Sequence, residues 1–182
     1  MRLSYRSALP TFLGLSQAHA ISPSHLRLSA VVSGRDGKAA FECWQFENPF
    51  VKYPTVGQAT DLAQLSNVTY VVLPAGSNEG IHKPPHPMLF VLLTGTAHLT
   101  LPSTGETLHL EAGENGLIVA NDMDGEGHIS EYPAKHPSIA LQLPFEGGQV
   151  PKHKIVRDGP CIDATHDASA GNRGNQMPLR GL

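Results

Sequence analysis

Two histidines four residues apart, His82 and His86, sit in the stretch GIHKPPHPMLFVLLTG from Gly80 to Gly95, with prolines around them. A third, His128, closes the segment ANDMDGEGH. Imidazole offers two chemistries near neutrality. It takes and gives a proton, because its unperturbed pKa lies near 6.5. It also ligates transition metals, Fe, Zn, Mn or Cu among them. These histidines therefore define a metal set (His82, His86 and His128) or an acid–base pair (His82 and His128) that works without metal. The spacing leaves both open, because ligand convergence is a matter of three dimensions.

Each residue also has an ordinary structural role. His82 on a Pro-rich rim can be a solvated loop residue, and His86 a packing or rim histidine. His128 follows Gly125 and Gly127, which permit a tight turn and close backbone approach. Asp122 and Asp124 read as strand terminators and turn formers, with a ligand or base role as the alternative. His98 and His109 flank the turn Pro102-Ser103-Thr104-Gly105 and read as a cross-strand surface pair. In an extended chain His82, Pro84, His86, Met88 and Phe90 share one face. That makes Met88 and Phe90 candidate substrate contacts. Trp44, the single tryptophan, reads as core or as a pocket wall that would touch substrate.

Short strands must position these residues. AFECWQF, NVTYVVLP, MLFVLL, TAHLTLP, ETLHLEA, NGLIVAN, GHISEYP and SIALQLP are rich in Val, Ile, Leu, Thr and aromatics, and Gly, Pro, Asn or Asp separates them. Such spacing predicts an all-β sandwich or barrel. The PSTG turn predicts a hairpin between AHLTL and ETLHL. DLAQLSN, from Asp61, is the one segment that reads as a helical turn or two. The compact barrel is expected over residues 40–147. Residues 21–39 read as a lead-in, and 148–182, polar and Gly-rich, as a flexible tail or surface wrap.

Residues 1–20 have a basic start at Arg2 and Arg6, a short apolar stretch and an A-x-A end at Ala18–Ala20. That is the layout of a secretory signal peptide, a disordered N-terminus being the alternative. Location therefore stays open between secreted and cytoplasmic. Cys43 reads as a buried thiol, with a disulfide to Cys161 as the other option. Asn67-Val68-Thr69 is a glycosylation sequon, usable only on the secretory route.

Composition excludes several classes. A chain of 182 residues builds one domain with a substantial core. Its formal charge of −3 and lack of a basic block argue against nucleic acid. No apolar run reaches the about 18 residues that span a membrane as a helix. No G-x-G-x-x-G follows a strand, so no NAD or FAD site is expected.

The same segments resemble the cupin superfamily, whose first motif is a glycine, five residues, His-x-His, then a Glu and a closing glycine. Gly76, His82 and Gly95 fall on that frame, while its second His falls on Pro84 and its Glu on Met88. The second motif opens at Gly113. Its Pro, Gly and His positions hold Val119, Asn121 and Asp124, with His128 four residues on. More narrowly, IHKPPHPMLFVLLTGTAHLTLP and GENGLIVANDMDGEGHISEYP resemble small fungal cupin-domain oxidoreductases that accompany polyketide synthases, including those making salicylaldehyde-type products. The resemblance covers about residues 41–145.

It implies a single small antiparallel barrel, a double-stranded β-helix, with flexible terminal extensions. It also implies an oxidoreductase of secondary-metabolite biosynthesis acting on a small aromatic or pre-aromatic polyketide intermediate. His82 and His128 would be its catalytic residues, with a bound metal or a partner dehydrogenase completing the redox chemistry. A homodimer is expected, since exposed barrel edges favour pairing. Two other functions fit the same residues. One is a non-redox dehydratase, isomerase or cyclase using histidine acid–base catalysis. The other is a non-catalytic barrel that binds or escorts a small molecule.

Overall fold

The computed structural model describes residues 24–161, apart from 114. The signal-like stretch 1–20 and the last part of the tail lie outside the described residues. The chain enters with β1 (His25–Ser33) and β2 (Ala39–Pro49), then a short ribbon, β3 (Val51–Lys52) with β4 (Gln58–Ala59). β5 (Thr69–Leu73), β6 (Ser77–His82), β7 (Met88–Thr94) and β8 (Thr96–Thr100) follow. Beyond a turn come β9 (Thr107–Glu111), β10 (Leu117–Asn121), β11 (His128–Tyr132) and β12 (Ser138–Pro144). β13 (His153–Asp158) is the last.

Period-2 patterning accounts for most of these strands. In β8, Ala97 and Leu99 are buried while Thr96, His98 and Thr100 are not. In β11, His128, Ser130 and Tyr132 point inward, and Ile129 and Glu131 do not. The turn at PSTG closes the β8–β9 hairpin in the expected register, with His98 opposite His109 and their rings 4.3 Å apart, edge to face. Gly105 takes a left-handed φ of 71° there.

That hairpin is the tip of a larger ribbon. β8 pairs β9, β7 pairs β10, β6 pairs β11 and β5 pairs β12, all antiparallel. The ribbon is wound so that its pairs alternate between two sheets. One contains the order β10-β7-β12-β5 and the other is β6-β11-β8-β9. Two four-stranded sheets filled alternately from one wound hairpin make a jelly roll, a double-stranded β-helix. The fold class is all-β. Between the sheets lies a core that includes Phe41, Met88, Phe90, Leu92, Leu99, Leu110, Ile118 and Tyr132. Gly95 turns the chain from one sheet to the other at φ 84°, and a Cβ there would run into Ser138.

Three sequence expectations are corrected. The lead-in 21–39 contains β1, which pairs β2 antiparallel and β10 parallel inside the larger sheet. LSAVV is buried on both faces: Val31 joins the inner core, while Leu28, Ala30 and Val32 join a second core outside the sheet. A run buried on both faces lacks alternation, which is why it escapes period-2 reading. The strands thus span His25–Asp158 rather than residues 40–147. DLAQLSN is not helical: it runs over the outer core, with Leu62 and Ala63 packed there and Leu65 bridged to Phe145.

The third correction concerns Cys43. β13 lies on the edge of β2, and Cys161 forms a disulfide with Cys43, 118 residues earlier. Cys43 is therefore not a free thiol. In the chain-entropy picture, closing a loop of that length stabilises the fold by about 5 kcal/mol. Disulfides of this structural kind persist in oxidising compartments.

Candidate functional site

β6 and β11 place the two principal histidines directly opposite each other, His82 against His128. The preceding residue, Gly127, makes this approach feasible. It sits at φ 78°, and a Cβ on it would collide with the His82 carbonyl. The imidazole centroids are 4.6 Å apart, with their planes at 57°. Both rings line a chamber of about 90 Å³ between the sheets, with Met88, Phe90, Leu99 and Ile118 as apolar walls.

The two histidines differ in exposure. His128 lines the chamber with its side chain 6% exposed, and the Asp122 side chain behind it is fully buried. His128 Nδ1 lies 2.7 Å from Asp122 Oδ2. A carboxylate accepts, so Nδ1–H donates and Nε2 is the ring nitrogen left for the chamber. Asp122 Oδ1 has no hydrogen-bond partner among the described residues. His128 is thus the group that holds this carboxylate.

At the mouth, His82 is about one-third exposed, and its Nε2 lies 3.3 Å from Glu79 Oε2. Its Nδ1 is 3.1 Å from the Gly80 carbonyl oxygen. Nδ1 thus has a hydrogen-bond partner in the backbone, while Nε2 has only the longer contact with Glu79. Glu79 Oε2 also accepts from the Tyr132 hydroxyl at 3.3 Å. Burial, and then the charge of Glu79, hold the Tyr132 phenol well above its ordinary pKa. It stays a neutral donor.

The structure does not bring all the candidate residues together. His86 is exposed and lines a separate cavity of about 460 Å³. Pro84, Pro85 and Pro87 bend the chain between β6 and β7, so the alternation that would have put His86 beside His82 is interrupted. The stretch Gly80–Gly95 therefore contributes strands to both sheets, so its residues do not share one extended face. Trp44 is likewise not a wall of the chamber. It is buried in the outer core, donates from Nε1 to Glu42 at 2.6 Å, and stacks on His153. Asp124 stays in its turn, its backbone hydrogen-bonded to the Ser33 hydroxyl.

The expected three-histidine metal set is consequently not assembled. Among the described residues, no group of three or more His, Cys, Asp or Glu side chains is arranged to hold a metal ion. His86 is the member missing from the chamber, and Pro84 and Met88, which do line it, carry no ligating nitrogen or carboxylate.

Three further members of this network escaped the sequence reading as functional candidates: Glu79, Ser130 and Tyr132. Period 2 counted from His128 would have found the last two, since Ser130 and Tyr132 share its face of β11. Asp122 reads in sequence mainly as a turn residue; its complete burial, one residue past β10, comes only with the tertiary structure.

No protein-family profile matches the sequence, and no curated protein matches it. Solved structures do match in shape. A conserved protein of unknown function from Streptococcus pyogenes is 19% identical, covering 55% of this chain and 75% of its own, at TM-score 0.32. The Cnp3 cupin domain of Schizosaccharomyces pombe is 13% identical, covering 65% and 87%, at TM-score 0.35. A Salmonella typhimurium protein named for ethanolamine utilisation is 13% identical, covering 68% and 98%, at TM-score 0.33. These scores are low, and the fold assignment rests on the strand order and pairing above. No helix among the described residues is long and apolar enough to cross a membrane.

Proposed function

We propose that this chain is an acid–base enzyme acting on a small aromatic or pre-aromatic polyketide intermediate, and that its reaction is a dehydration or enolisation leading towards an aromatic ring. The observation that carries this reading is the buried Asp122–His128 pair, whose imidazole lines the chamber opposite His82. Asp122 holds the His128 ring in one tautomer, and Nε2 takes a proton from substrate carbon. The electron pair left behind forms the new C=C bond as the β C–O bond breaks. The leaving oxygen departs as water with a proton from His82 Nε2, which exchanges its contact with Glu79 for the substrate oxygen. Glu79 orients His82, and Tyr132 supports Glu79. Met88 and Phe90 shield the reacting edge of the substrate from water.

A β-hydroxyketone probe, 3-hydroxycyclohexanone, tests this through the ultraviolet absorbance of the enone formed on loss of water. Wild-type protein should accelerate the reaction. His128→Ala and His82→Ala should each lower the rate about 10²–10⁴-fold, the usual contribution of a positioned acid or base. A His128→Ala rate equal to wild type would refute the reading.

The sequence resemblance supports a second reading, a two-electron oxidation or reduction with a partner dehydrogenase supplying the electron acceptor. A product two electrons from its substrate, formed with oxidation or reduction of a nicotinamide, distinguishes it. A non-catalytic binder would instead keep its effect on a product profile in the His82→Ala/His128→Ala double variant.

A further inference from the structure

The chamber at His82 and His128 is small for the reaction it faces. Its volume of about 90 Å³ is below the about 150 Å³ of an apolar cavity that admits one benzene ring. The neighbouring cavity of about 460 Å³ falls within the range of ordinary ligand pockets. The two share three walls, Pro85, Met88 and Gln142.

Strand register shows how closely they abut. Thr69 on β5 is opposite Gln142 on β12, and Gln142 is opposite Phe90 on β7. That row crosses three adjacent strands on the inward face. It begins in the outer cavity at Thr69, passes the shared wall at Gln142 and ends in the chamber at Phe90. Outer-cavity chemistry is mixed: Met88, Pro144 and Phe145 form an apolar floor, and Ser66, Asn67 and Thr69 a polar rim.

We propose that the two cavities form one bipartite site for a phenolic or enolic head carrying an apolar tail of several carbons. The oxygenated edge of the head reaches the two histidines, and the tail lies along Met88 and Phe145 in the outer cavity. Met88 and Gln142 divide the site and set which substituents pass. This inference rests on the reading of the chamber as the reactive site, and it adds the shape and polarity of the substrate.

Binding, rather than turnover, tests it. The probes are phenol, 4-ethylphenol, 4-butylphenol and 4-hexylphenol, titrated into the full chain by calorimetry, with the imidazole signals of His82 and His128 followed by NMR. Phenol should shift both sets of signals. Each added methylene should then tighten binding about fourfold, the effect of burying one CH₂. Thr69→Trp, which fills the outer cavity from the rim, should abolish the gain with chain length. Ser66→Trp, from the adjoining loop, is the second blocking variant if the first unfolds.

Affinity independent of chain length in wild type, or a gain that survives both blocking variants, overturns the bipartite site. So does a phenol that leaves the His82 and His128 signals unmoved. Failure of the acid–base reading has a different signature: chain-length-dependent binding would persist while His128→Ala leaves turnover of the β-hydroxyketone unchanged.

Discussion

Replacing Asp122 by Asn exchanges one carboxylate oxygen for an NH₂ group and leaves the side-chain volume nearly unchanged. Because the residue is fully buried and 2.7 Å from His128 Nδ1, the exchange acts directly on the ring. The charge-assisted bond lost is worth about 1.5–3 kcal/mol. Against that, the variant no longer buries a carboxylate whose second oxygen lacks a partner among the described residues. These opposing effects hold the net change in unfolding free energy to about 1.5 kcal/mol or less. Catalysis has no such compensation. If the amide NH₂ faces His128, Nδ1 becomes the acceptor and the proton moves to Nε2, the nitrogen that must take the substrate proton. The rate on 3-hydroxycyclohexanone should then fall about 10²–10⁴-fold. Urea unfolding measures the first quantity, enone absorbance the second, and ¹⁵N NMR of the imidazole the tautomer. A variant with wild-type rate and an unchanged tautomer refutes the dyad. A variant that loses activity only because it unfolds at low urea refutes the energetic argument.

Four other outcomes follow from the structure. Cys161→Ser should lower unfolding free energy by about 2–5 kcal/mol, and amide exchange should accelerate first in β13, which the disulfide ties to β2. Gly127→Ala should cost at least about 1–3 kcal/mol for its positive φ, and it should push His82 and His128 apart, as a change in their mutual NMR contacts would show. Tyr132 has its pKa raised by burial and by Glu79, so its contribution to stability is complete below pH 10.0 and lost as pH rises above that value. Tyr132→Phe should remove that part of the alkaline loss, up to about 1.4 kcal/mol per pH unit, as seen in unfolding measured from pH 9 to 11.5. Finally, β5 leaves an edge unpaired among the described residues and exposes Tyr70 and Val72. The expected solution state is a homodimer, twice the 19.5 kDa chain by light scattering at micromolar concentration, and Tyr70→Lys should shift it to monomer.

The amino-acid order alone dictates local features. Side chains alternate along a strand, so β8, β9 and β11 are legible from period 2, and the PSTG turn fixes their pairing. The all-β class follows from those strands and their punctuation. His82 and His128 are legible because glycines mark where the chain turns and where it packs close. Four features required the tertiary structure. β1 is buried on both faces, so its apolar run carries no alternation to read. The Cys43–Cys161 disulfide joins residues 118 apart, and only the register of β13 on β2 brings them together. His86 leaves the site because prolines bend the chain, and an alternation rule holds only while the backbone stays extended. Trp44 and Phe90 both read as buried aromatics on strands, yet they serve different cores. Local pattern shows that a strand has an apolar face; only the packing of sheets decides which cavity that face meets.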